Sequence, residues 1–157
     1  MARVEDLARE LLDRRWLCVT AESCTGGGIA EALTRVAGSS NWFERGFVTY
    51  SNESKRELLG VAAETIERFG AVSEETAREM AEGALKHSRG QVAMAVTGIA
   101  GPEGGTVDKP VGLVVFAWSI TGESTATQVR RFEGDRAAIR EAAVEQAIEG
   151  LLVLLRR

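Results

Sequence analysis

The stretch TAESCTGGG, residues 20–28, decides how the chain is read. It joins an apolar run, Trp16–Val19, to a segment that carries apolar residues at helical spacing. The run WLCVTA (16–21) is continuous and apolar, as a strand covered on both faces would be. From Gly27 to Val36 the residues Ile29, Ala32, Leu33 and Val36 share one face of a helix. The stretch is therefore a glycine turn between a buried strand and a helix, the repeating unit of an α/β fold. Just before that turn stand a serine, a thiol and a threonine. Either Thr25 caps a helix with flexible glycines, or the turn holds a nucleophile against a bound anion.

The same patterns recur along the chain. Val4, Leu7, Ala8, Leu11 and Leu12 predict an opening amphipathic helix. GFVTY (46–50) predicts a second strand, and Ser54 with Glu57 matches a capping box that starts a short helix, KRELLG (55–60). Ser73, followed by Glu74 and Glu75, starts a helix reaching about His87. QVAMAV (91–96) is a third buried strand, ending at Thr97-Gly98. A glycine-rich loop (98–110) precedes the strand VGLVVFAWSI (111–120), and TGES turns into the more polar TATQVRRF (125–132), which suits a sheet edge. The last helix runs from about Asp135 to the end. This order predicts a three-layer α/β/α sandwich around a mostly parallel mixed sheet, in a single domain spanning residues 1–157.

Composition narrows the function. A net charge of −4 with interspersed signs speaks against a nucleic-acid surface. The longest apolar run, VGLVVFAW, is too short to span a membrane, and the charged N-terminus has no signal-peptide core, so a soluble cytoplasmic protein is expected. One histidine, His87, rules out a multi-histidine metal site, and its place at a helix end reads as a cap. Of the two cysteines, Cys18 lies in the apolar run and reads as a packed thiol. Asn41-Trp42-Phe43 reads as core packing or a subunit contact.

In open α/β sheets ligands bind beyond the carboxyl ends of the strands. Three loops follow strands here: ESCTGGG, YSNESK (50–55) and TGIAGPEGG (97–105). Parallel strands would gather them at one edge. In the first, free N–H groups of Thr25, Gly26 and Gly27 at a positive helix end favour an anion or oxyanion. Lysine and spacing for a Walker loop are missing. Ser23 needs an activator, and Lys55, in a first helical turn, gains from any burial a pKa closer to neutrality. A lone lysine on the surface is the competing reading. Tyr50 either orients Lys55 or bonds the reacting group, or packs with its hydroxyl in water. Thr97, Gly98 and Gly101 either wrap a sugar or phosphate with backbone groups or belong to a mobile connector. Arg136 and Arg140 either bind phosphate or are ordinary surface arginines.

Taken together, TAESCTGG, AGSSNWFERGFVTYSNESK, GAVSEETAREMAEGAL, TGIAGPEGG, KPVGLVV and FEGDRAAIR resemble the CinA C-terminal domain family, in particular its stand-alone nicotinamide mononucleotide deamidases. They occur in the family's order and cover nearly the whole chain. The resemblance implies the three-layer fold and hydrolysis of the carboxamide of nicotinamide mononucleotide to nicotinic acid mononucleotide and ammonia. It implies Ser23 as nucleophile, assisted by Tyr50 and Lys55. The small-molecule nucleotide is the partner it implies; no cofactor is expected, and with one histidine and no metal-ligand cluster in the sequence, no metal either. Many family members carry a further N-terminal domain linked to nucleotide pyrophosphatase activity; 157 residues leave no room for it, so that activity is expected to be absent. Leu113 stands where a small polar residue is expected. Two other readings remain beside this one, a non-catalytic nucleotide-binding module and an amidase for a different amide. A homodimer or higher homo-oligomer is left open.

Overall fold

The computed structural model describes residues 3–157. The opening helix α1 spans Arg3–Arg14, and residues 1 and 2 of the expected 1–157 domain lie outside the described part. Strands β1 (Cys18–Glu22), β2 (Phe43–Val48), β3 (Val92–Gly98), β4 (Leu113–Ile120) and β5 (Ala126–Arg131) form one sheet in the order β2-β1-β3-β4-β5. β1 pairs in parallel with both β2 and β3, whereas β4 runs antiparallel to β3 and to β5. The sheet is thus mixed, with β4 alone opposing the common direction. The hairpin β4–β5 puts the polar strand at an edge, where its side chains reach water.

Alternation along the strands sorts the core into two layers. Val92, Met94 and Val96 of β3 face α1, α2 (Gly28–Thr34) and α6 (Arg136–Leu155), in a layer that also buries Phe116 and Trp118. Trp42 is fully buried there, so the Asn41-Trp42-Phe43 motif serves the core. Ala93 and Ala95 face the other way, with Ala117, against α5 (Glu74–Lys86). Small side chains on that face let α5 lie close to the sheet. α5 also presses on α3 (Asn52–Leu59): a Cβ at Gly83 would sit 1.9 Å from the Leu59 carbonyl oxygen. This backbone contact fixes α3 against the sheet, which matters because α3 carries Lys55.

Ser73 caps α5 by accepting from the Thr76 N–H at 3.1 Å, as its sequence signal predicts. The start of α3 differs from expectation. Its cap is Ser51, which accepts from the Ser54 N–H at 3.0 Å, so the helix begins three residues before the Ser54–Glu57 box. The reason is long-range: the parallel pairing of β2 on β1 continues into the Thr49 N–H bond to the Glu22 carbonyl, and the chain turns directly afterwards. A short helix α4 (Ala63–Phe69), which has no side-chain cap, was not expected from the pattern. Among the described residues no helix is long and apolar enough to cross a membrane.

Candidate active site

The parallel strands β1, β2 and β3 end at one edge, and the three loops that follow them meet there. At the end of β1 the Ser23 N–H still pairs with the Val96 carbonyl of β3, at 3.0 Å. The Ser23 carbonyl then accepts the Gly26 N–H at 3.0 Å, closing a tight turn. Gly26 and Gly27 take φ of 58° and 102°, a left-handed path that glycine follows without a Cβ clash. The first residues of α2 follow at once.

The positive end of α2 is not left open for a substrate anion. Glu22, fully buried, turns its carboxylate onto it. The carboxylate accepts from the Thr25 hydroxyl at 2.5 Å and from the N–H groups of Ile29 and Ala30 at 2.8 and 3.1 Å. A buried carboxylate is tolerated there because charge-assisted bonds and the helix dipole replace its lost hydration. Glu22 thus takes the N–H groups of Ile29 and Ala30 and does not touch those of Thr25, Gly26 or Gly27. The turn ahead of the helix keeps unused donors. Among the described residues no acceptor lies on the N–H groups of Cys24, Thr25 and Gly27.

Lys55 comes to Ser23 from α3. Its side chain is only 1% exposed, and Nζ lies 3.0 Å from Ser23 Oγ, 3.0 Å from the Thr49 carbonyl and 3.3 Å from the Tyr50 carbonyl. Burial lowers its pKa from the ordinary lysine value, because a desolvated ammonium is disfavoured. Among the described residues no carboxylate contacts the amine. The two carbonyls can only accept, so they take two N–H bonds, and in the neutral amine the remaining lone pair faces Ser23 Oγ. The arrangement suits abstraction of a hydroxyl proton. Cys24, next to Ser23, is a buried thiol pushed up to about 11, chiefly by burial. Cys18 is likewise buried in the core and pushed up to about 12.

Tyr50 behaves differently from a ring that orients the lysine. It is 60% exposed, and only its backbone carbonyl meets Lys55. Its hydroxyl accepts from Arg136 at 3.1 Å, and Arg136 also donates to the Gly101 carbonyl at 2.9 Å. Arg136 thereby ties the loop after β2 to the loop after β3. A cavity of about 270 Å³ opens there, lined by Ser23, Lys55, Tyr50, Thr97, Gly98, Gly101 and Arg136 among others. The Thr97 hydroxyl donates to the carbonyl of Ala71, another residue of the cavity wall, at 2.9 Å.

The remaining expected residues lie elsewhere. Of the turn, Ser23 and Cys24 line this cavity and the Cys24–Thr25 peptide bounds it, whereas Thr25 beyond that peptide, Gly26, Gly27 and Arg140 do not line it. Arg140 approaches the turn from α6, donating from Nε to the Cys24 carbonyl and from Nη2 to the Thr25 carbonyl, both at 3.1 Å. Thr25 and Arg140 instead border a separate cavity of about 340 Å³ between α2 and α6. His87 caps α5, with Nδ1 2.8 Å from the Gly83 carbonyl. Glu22 was missed by sequence reasoning. A carboxylate closing an apolar strand just before a glycine turn was the available signal.

Fold and site together define an α/β/α sandwich with a lysine-paired serine in a cleft beyond the carboxyl ends of parallel strands. The CinA C-terminal domain model matches residues 2–155, and the chain belongs to that family. It is 49% identical over 147 residues to the nicotinamide-nucleotide amidohydrolase PncC of Escherichia coli K12, covering 94% of this chain and 89% of the relative. With PncC of Pseudomonas putida it shares 53% over 135 residues, 86% and 84% of the two chains. The crystal structure of the competence damage-inducible protein A from Klebsiella pneumoniae superposes with a TM-score of 0.95 at 41% identity, covering 99% of this chain and 96% of that one. Such similarity to amidohydrolases places the chain in an enzyme family.

Proposed function

We propose that the protein hydrolyses the carboxamide of nicotinamide mononucleotide, with Ser23 as nucleophile and Lys55 as general base, as part of pyridine nucleotide recycling. The observation that carries the reading is the 3.0 Å contact between a hydroxyl and a buried, uncompensated lysine amine. Neutral Lys55 takes the Ser23 proton as Oγ attacks the carboxamide carbon. The oxyanion that forms is held by free N–H groups of the turn, those of Cys24 and Thr25 being nearest the nucleophile in sequence. The Lys55 ammonium, steadied by the Thr49 and Tyr50 carbonyls, then gives its proton to the departing nitrogen, which leaves as ammonia. Water attacks the resulting ester, Lys55 takes a proton from it, and collapse returns that proton to Ser23 and frees nicotinic acid mononucleotide. One amide and one water become one acid and one ammonia.

Cys24 is the rival nucleophile in the same turn, and a thiol is intrinsically the stronger one. Its pKa of about 11 leaves little thiolate at neutral pH, and the lysine contact belongs to Ser23. Arg136, exposed at the mouth of the cavity, has further N–H donors beyond the two it uses and is suited to the substrate phosphate, while Thr97, Gly98 and Gly101 supply backbone to the ribose side. The test is release of ammonia and nicotinic acid mononucleotide from nicotinamide mononucleotide by wild type, Ser23→Ala and Cys24→Ala. Turnover by the wild type and Cys24→Ala but not by Ser23→Ala is expected. A dead Cys24→Ala beside an active Ser23→Ala would reassign the nucleophile, and binding without ammonia release would leave only a nucleotide-binding module.

A further inference from the structure

We infer that Arg140 is a positioning residue for catalysis, which acts by clamping the Cys24-Thr25-Gly26 peptides so that the Thr25 N–H points at the oxyanion. The inference rests on the Ser23 reading above and goes beyond it by assigning what aims the donor.

Three observations converge on Thr25. Its side chain is held from the strand side, where the hydroxyl donates to buried Glu22 at 2.5 Å. Its carbonyl is held from the α6 side by Arg140 Nη2, and the carbonyl before it, of Cys24, by Arg140 Nε, both at 3.1 Å. Its N–H is the one polar group left without a partner. In a planar trans peptide the N–H points opposite to the C=O. Pulling the Cys24 carbonyl toward α6 therefore turns the Thr25 N–H away from α6, back toward the end of β1 where Ser23 stands. The next peptide shows the same sense. With the Thr25 carbonyl on Arg140, the Gly26 N–H reaches back to the Ser23 carbonyl at 3.0 Å.

Glycines at 26 and 27 make such a clamp necessary. They admit the left-handed turn, and they also leave it free to swing in a peptide flip that would exchange N–H for C=O at the oxyanion. A carbonyl there would repel the developing charge. Arg140 is half-buried and forms no ion pair among the described residues, so its fork is committed to these two carbonyls. One helical turn earlier on α6, Arg136 borders the other side of the site. The start of α6 thus serves the cavity with one arginine and the back of the nucleophile's turn with the other.

The test uses Arg140→Ala and Arg140→Lys beside Ser23→Ala, assayed with nicotinamide mononucleotide and with nicotinamide riboside, which lacks the phosphate. A lost oxyanion donor lowers kcat by about 10²–10³. Arg140→Ala should approach that range, with KM changed by less than about threefold and the same loss for both substrates. The pH limb set by Lys55 should stay in place. Millimolar guanidinium chloride should restore part of kcat in Arg140→Ala, whereas methylammonium should not, because only the planar fork spans two carbonyls. Arg140→Lys should remain well below wild type, and it carries the test if the alanine variant does not fold. A kcat within threefold of wild type in a folded variant overturns the inference, and so does a rise in KM confined to the phosphorylated substrate. If Ser23→Ala itself turns over, the failure lies with the nucleophile and not with the clamp.

Discussion

Replacing Lys55 by methionine separates the buried amine from everything else in the site. Methionine is unbranched and of similar length, so the space along α3 stays filled. What disappears is one titratable proton and three hydrogen bonds, to Ser23, Thr49 and Tyr50. The bond losses shift stability by an amount that does not depend on pH. The proton does. Burial lowers the folded-state pKa of Lys55 below its ordinary value of 10.5. Between that lowered pKa and 10.5 the unfolded chain binds a proton that the folded chain does not. Wild-type stability relative to Lys55→Met must therefore rise with pH across this window, by at most about 1.4 kcal/mol per pH unit. Below the window both states are protonated, above it neither is, and the difference is flat. Urea unfolding of both proteins at intervals from pH 6 to 10 reads this directly, since all other groups cancel in the difference. With urea m-values of about 1–3 kcal/mol/M, the full slope moves the midpoint by roughly 0.5–1.4 M per pH unit. For wild type, kcat/KM should climb with pH and level off at the pKa where the stability difference starts to rise, because both report the free enzyme. A stability difference that stays flat to pH 10 would show an ammonium that persists in the fold, and Lys55 would then not be the base.

Arg136→Ala should weaken nicotinamide mononucleotide by about tenfold to a hundredfold, as for loss of a charge-assisted bond worth about 1.5–3 kcal/mol. Nicotinamide riboside should lose much less, only the part due to freeing Tyr50 and Gly101, as kcat/KM for the two substrates will show. Gly83→Ala forces a Cβ to within 1.9 Å of the Leu59 carbonyl oxygen, so α3 must move. A cost of about 3 kcal/mol, at the upper end of overpacking penalties, lowers Tm by roughly 6–12 °C, with a parallel fall in kcat as Lys55 shifts. Exhaustive chelation should leave turnover intact, because Ser–Lys chemistry asks for no metal and no three His, Cys, Asp or Glu converge among the described residues; recovery of lost activity by a divalent ion would contradict this.

Much of this architecture can be read from local pattern, and the exceptions have identifiable causes. Leu7 and Leu11 mark α1, and Ser73 marks α5, because period and cap are properties of adjacent residues. α4 has neither: it is seven residues long, uncapped by any side chain and without a fully buried residue, so it is held in place by its neighbours. Ser51 and Ser54 both look like caps, and the choice between them is made by where β2 stops pairing with β1. Ser23 and Lys55 stand in distinctive motifs, yet their approach to 3.0 Å depends on Gly83 letting α5 press α3 inward. Arg140 is further from reach, since the carbonyls it holds are 116 and 115 residues away in the chain. The two carbonyls on Lys55 could not be read at all. Any residue at positions 49 and 50 would supply them, so no side chain there announces the bond. The identity of Tyr50 needs a separate reason, and the structure provides one in its hydroxyl on Arg136, at the mouth of the cavity, rather than in any contact of its ring with the base.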